Sequence, residues 1–145
     1  MSNLNSFFMK NAEQPKQIEG VVSNRFTDDE GKVVPFVFKA ITPEKDAELQ
    51  NKSIRKKPIT QGPKKGQVEQ EFDAMKYQML MTIESMIQPN LKDAELQNFY
   101  GVMGEVDLYN ALLLPGESIK AYEFAQKANG YEHSMSDLVD EVKNS

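Results

Sequence analysis

The sequence predicts an α+β fold that is mainly α, a compact bundle of short helices carrying an N-terminal β-hairpin. Three observations carry this reading. Two runs rich in valine, isoleucine and phenylalanine, 18–26 and 33–41, flank a polar turn. A long stretch, 69–88, repeats apolar residues at three- and four-residue steps. After Pro89, short periodic segments alternate with glycine and proline. The 145 residues suit one domain with an appendage. The expected division is an N-terminal amphipathic arm, 1–17, and a single helical domain, 18–145.

Each element has its own signal. Leu4, Phe7 and Phe8 share one face of a short helix over 3–11. Two readings stand for it: docking on the chain's own core, or an arm that grips a partner. In the hairpin, 18–41, Gly31 supplies a residue tolerant of positive φ. Pro35 lacks an amide hydrogen and suits an edge strand. Asp28, Asp29 and Glu30 read as a solvated turn, because no second set of spaced oxygen ligands accompanies them. Thr42 and Pro43 open a helix that runs to about residue 51.

Residues 52–67 hold Lys52, Arg55, Lys56, Lys57, Lys64 and Lys65, no acid, and two each of proline and glycine. That composition is expected to give a mobile basic loop. Over 69–88 a single helix is expected, with Phe72, Met75, Met79, Ile83 and Met86 on its buried stripe and Leu80 and Ile87 widening it. Met81 lies off this stripe and is expected on the surface, where a flexible thioether suits an adaptable contact. Further helices are expected over 93–100, 104–113 and 117–128, and a last one from Ser134 through Leu138, Val139 and Val142. The six residues Asp-Ala-Glu-Leu-Gln-Asn occur at both 46–51 and 93–98. Their flanks differ, so they read as two similar helix starts and not as a repeat.

Composition narrows the function. Seventeen basic and 22 acidic residues give a net charge of −5, which disfavours nucleic acid as a partner of the whole chain. Without cysteine there are no disulfides, thiolate metal sites or cysteine nucleophiles, and a reducing compartment fits. Residues 1–10 lack the pattern of a secretory signal, and no run is long and apolar enough for a membrane span. His133 stands alone in a polar turn. A glycine-flanked serine elbow, a phosphate loop and a histidine pair are all missing. No enzyme, cofactor or metal is expected.

Three blocks stand out in the stretch from Tyr77 onward: Pro89-Asn90-Leu91-Lys92-Asp93-Ala94-Glu95-Leu96-Gln97, Tyr100-Gly101-Val102-Met103-Gly104 and Leu112-Leu113-Leu114-Pro115-Gly116-Glu117. In them the chain resembles the XkdN-like tail assembly chaperones of contractile-tailed bacteriophages and defective prophages. Asn129-Gly130-Tyr131 and the run 135–144 continue the resemblance, and upstream 7–11, the hairpin and the basic loop look similar.

The resemblance implies a chain that coats the tape measure protein, keeps it soluble, and leaves as tube subunits polymerise. Further partners it implies are the tail tube protein, a frameshifted long form of the same chain, and self-association. The place implied is the host bacterial cytoplasm, with absence from the mature virion. Phe7, Phe8 and Met81 are the expected partner-binding residues, ahead of the lysines. Val142-Lys143-Asn144 permits a slippery codon run that would yield the long form. Two other readings compete: a tail-completion or connector subunit that stays in the virion, and a nucleic-acid-binding regulator using the basic loop.

Overall fold

The structure is a computed structural model and describes residues 3–8 and 15–131. The expected last helix from Ser134, His133 and the 142–144 run lie outside the described residues. The fold is α+β, as the sequence predicts, with five α-helices and two small antiparallel sheets among the described residues.

The N-terminal hairpin forms, with shorter strands than the apolar runs. β1 (Ile18–Gly20) pairs antiparallel with β2 (Phe36–Phe38), placing Ile18 opposite Phe38 and Gly20 opposite Phe36. A lone bridge joins Thr27 and Val33 nearer the turn. There Asp28 accepts from the Glu30 and Lys32 amides at 2.9 Å each, so the acidic turn is held by its own backbone. The edge position read from Pro35 needs correction. β2 is the central strand, with β5 (Met86–Gln88) on its other side. Pro35 lies just before β2, outside the ladder, and its carbonyl accepts from Gln88 Nε2 at 2.7 Å.

α1 (Pro43–Lys52) starts as read, with Thr42 Oγ1 accepting from the Lys45 amide at 3.1 Å. The expected mobile loop, 52–67, is instead the first half of an ordered hairpin. β3 (Ile54–Pro58) pairs antiparallel with β4 (Val68–Phe72) in continuous register, Ile54 opposite Phe72 through Pro58 opposite Val68. The tip closes through the Ile59 amide to Gln67 O and the Gly66 amide to Ile59 O, at 2.9 and 3.0 Å. Glycine permits the positive φ of 93° at Gly66.

The single helix expected over 69–88 is therefore three elements: β4, α2 (Ala74–Ser85) and β5. Asp73 makes the first break. Its side chain accepts from the Lys76 amide at 3.0 Å as an N-cap, and its own amide donates to Ser53 O at 2.7 Å, extending the hairpin. Val68, Gln70 and Phe72 alternating with Glu69 and Glu71 is a strand pattern that the helical count overlooked.

After Pro89 come α3 (Ala94–Phe99), α4 (Glu105–Leu112) and α5 (Pro115–Ala128). Pro115 begins α5 and does not merely end α4; its missing amide costs nothing in a first helical turn. The repeated hexapeptide plays two roles. Asp93 caps α3 by accepting from the Leu96 amide at 2.9 Å, whereas Asp46 sits inside α1 and accepts from the Tyr77 hydroxyl. Only the second copy is a helix start.

The core lies between the three-stranded sheet and α2, α4 and α5, around Phe36, Phe38, Met81, Leu108, Leu112 and Ala125. Ala121, Ala125 and Ala128 share one face of α5 and let its backbone lie close against its neighbours. Gly20 does the same for β1: a Cβ there would come within 2.3 Å of the Phe124 ring.

Candidate functional site

The expected partner-binding residues separate. Asn3–Phe7 forms a single 3-10 turn, and Phe7 and Phe8 are 77% and 49% exposed. Of the two readings of this segment, burial on the chain's own core fails for Leu4, Phe7 and Phe8, all of which face solvent. Met81 needs correction: it is 2% exposed and belongs to the core. The cause is the polarity of its neighbours. Thr82 and Ser85 are also fully buried, with Thr82 Oγ1 donating to Gln78 O and Ser85 Oγ accepting from Asn129 Nδ2. Stripe counting treats hydroxyls as outward facing. Here they are satisfied inside, so the buried part of α2 is displaced from the counted stripe. Met75, placed on that stripe, is solvent exposed instead.

Two polar constellations are structural in their connections. Tyr77 donates to Asp46 and to Met81 Sδ, the latter at 3.8 Å. Partial burial, then the Asp46 carboxylate, push the Tyr77 hydroxyl pKa up, so it stays protonated and keeps donating. Glu117 accepts from Arg25 Nε at 3.0 Å and Nη2 at 2.5 Å, and from the Leu114 amide at 2.8 Å. The Arg25 hydrogen bonds first, and the Leu114 amide further, hold its pKa down at about 2. Neither constellation pairs a nucleophile with a base, and no cluster of three metal-ligating side chains occurs among the described residues.

Concave and protruding apolar surfaces remain. A cavity of about 160 Å³ opens between β2, Pro89, Leu96 and Tyr100, walled by Phe26 and Phe36, whose ring centroids are 5.8 Å apart. Small-molecule sites run from roughly 300 Å³ upward, so this one suits a single apolar side chain. The β3–β4 hairpin protrudes: every one of its strand residues is exposed. Phe72, at its base, packs on the Tyr77 ring at 5.8 Å. Sequence reading missed both surfaces. The cavity is assembled from separate stretches of the chain, and the hairpin's two strands have the compositions of a loop and of a helix start.

The described residues thus present apolar side chains at several separate places on the surface. The family described as "Phage XkdN-like tail assembly chaperone protein, TAC" matches residues 4–143. The chain belongs to that family. Its members are assembly chaperones of phage tails and are not an enzyme family. Two Bacillus subtilis (strain 168) relatives accompany the match. An uncharacterized protein, YqbN, is 33% identical over 141 residues, spanning 96% of this chain and 92% of its own length. The phage-like element PBSX protein XkdN is 30% identical over 141 residues, spanning 96% and 93%. The crystal structure of YqbN superposes with a TM-score of 0.71 at 27% identity, covering 90% of this chaperone-family chain and 98% of YqbN. No helix among the described residues is long and apolar enough to cross a membrane.

Proposed function

We propose that this chain captures the tape measure protein of its phage or prophage and keeps it soluble while the tail tube assembles. The observation that carries the reading is family membership across residues 4–143. Exposed apolar side chains on a packed body support it. Phe7, Phe8, Val68, Phe72 and Met75 all face solvent and are available as anchors for a client's apolar surface. Capture by several separate anchors gives contacts that are individually weak and collectively reversible, as release to tube subunits requires. The work takes place in the host cytoplasm, and the chaperone leaves before the particle is finished.

Co-expression tests this directly. With the chain present, the cognate tape measure protein moves from the pellet to the soluble fraction and co-purifies with it. An equally insoluble tape measure protein in both cultures rejects the reading. Mass spectrometry of purified particles separates a chaperone, which is absent, from a tail-completion or connector subunit, which is retained.

A further inference from the structure

The β3–β4 hairpin has two unlike faces. Strand alternation with the observed register puts Ile54 opposite Phe72, Lys56 opposite Gln70 and Pro58 opposite Val68 on one face. The other face carries Arg55 opposite Glu71 and Lys57 opposite Glu69. On that second face, charge is largely compensated locally. Arg55 reaches Glu71 at 3.3 Å and Asp73 at 3.8 Å. The first face carries two apolar pairs separated by Lys56 and Gln70, and its apolar side chains stay largely open: Ile54, Val68 and Phe72 are 41%, 61% and 50% exposed, Phe72 touching the Tyr77 ring on one side. Met75, in the first turn of α2 just after β4, is exposed as well. An isolated two-stranded ribbon does not hold such a face in water for its own stability.

Three cations lie on or near this face. Lys56 lies within it, and Lys64 and Lys65 lie at the tip, between the ends of β3 and β4. Among the described residues, none of these three lysines forms an ion pair. A basic partner laid on the face would meet like charge at three points; an acidic one would meet complementary charge. Strand register fixes the position of Lys56 between the two apolar pairs, and the closed tip keeps Lys64 and Lys65 at the Pro58–Val68 end of the hairpin.

We propose that the β3–β4 hairpin is the docking surface for an acidic amphipathic segment of the captured chain, seated on Ile54, Val68 and Phe72 and flanked by Lys56, Lys64 and Lys65. The inference rests on the capture reading above and deepens it by naming the surface and the chemistry of the segment.

Two synthetic amphipathic peptides test it. They share one apolar stripe and differ only in flanking glutamates or flanking lysines. Titrated into the full-length chain and followed by fluorescence anisotropy, the acidic peptide binds and the basic peptide binds about tenfold more weakly or not at all. Val68→Ser with Phe72→Ser weakens the acidic peptide about tenfold. Lys56→Glu with Lys64→Glu and Lys65→Glu inverts the preference, a gain that an unfolded variant cannot show. Equal affinity for both peptides, absence of binding, or a charge-reversed variant that still prefers the acidic peptide overturns the proposal. So does a wild-type dimer that the Val68→Ser, Phe72→Ser variant breaks into monomers while peptide binding is unchanged; the occupant is then a second copy. Co-expression keeps the two readings apart. A tape measure protein that stays soluble with the hairpin variants sinks the docking surface and leaves the chaperone standing. One that the wild-type chain never solubilises sinks the chaperone.

Discussion

Arg25 and Glu117 join the segment between β1 and β2 to the first turn of α5. Besides its two bonds to Glu117, the guanidinium donates to Leu112 O at 3.0 Å, where α4 ends, and lies 4.9 Å from the Phe26 ring centroid. Glu117→Ala removes the guanidinium's partner and the acceptor of the Leu114 amide together. Its melting temperature at neutral pH is expected to fall by about 3–6 °C. The pH dependence has a definite sign. The folded pKa, about 2, is below that of an ordinary carboxylate, so the contribution is full above the unfolded value. It fades as pH falls from roughly 4.5 towards 2, and the melting curves of variant and wild type converge over that window. A gap that stays constant down to acid would show the carboxylate charge to be unimportant. Asn129 is a second such residue. Its Oδ1 accepts from the Ile41 amide, and its Nδ2 donates to Ser85 Oγ and Ala125 O, each at 2.8 Å. Asn129→Ala strands partners in the interior, Ser85 among them, and is expected to cost about 1–3 kcal/mol in urea unfolding.

At the scale of elements, close approach decides more than propensity. β1 meets α5 through Gly20, and the Phe124 ring that covers Gly20 also stacks on Phe38, with centroids 6.1 Å apart. In Gly20→Ala the ring must swing off Phe38. The expected loss is about 1–3 kcal/mol by denaturant midpoint, and Phe124→Leu in the same chain should recover part of it. Full additivity of the two substitutions would mean that they do not share this contact. The N-terminal turn predicts the opposite. Phe7 and Phe8 are exposed, so Phe7→Ser with Phe8→Ser is expected to leave unfolding within about 0.5 kcal/mol of wild type. Capture of the tape measure protein by that variant should weaken. A large loss of stability would place these rings in a packed contact.

For the whole molecule, division of labour follows from where apolar side chains end up. Phe36, Phe38, Leu108 and the α5 alanines make a closed interior, while Phe7, Phe8, Val68, Phe72 and Met75 stay outside it. A body whose core does not need its exposed anchors can release a client without unfolding. Deleting the hairpin tip, 59–67, and closing β3 to β4 with an Asn-Gly turn tests that independence. The melting temperature is expected to stay within about 4 °C of wild type. A collapse in stability would make the tip part of the folding unit.

Elements with local cues are legible in the amino-acid order alone. Thr42, Asp93 and Gly101 mark helix ends through backbone chemistry that acts within a turn, whereas Pro89 follows a strand and not the helix expected before it. The motif block from Pro89 to Glu117 pointed to the family in the same local way. Contacts between distant segments settle the remainder. Residues 69–72 suit a helix or a strand, and the 54–58 partner strand with the Asp73 cap selected the strand. Met81 suits surface or core. It is buried beside Thr82 and Ser85, whose hydroxyls find partners inside: Thr82 through Gln78 O in its own helix, Ser85 through Asn129, the cap that follows α5, 44 residues away. Stripe counting weighs a residue's own polarity, whereas burial depends on whether a distant chain segment supplies the missing partner.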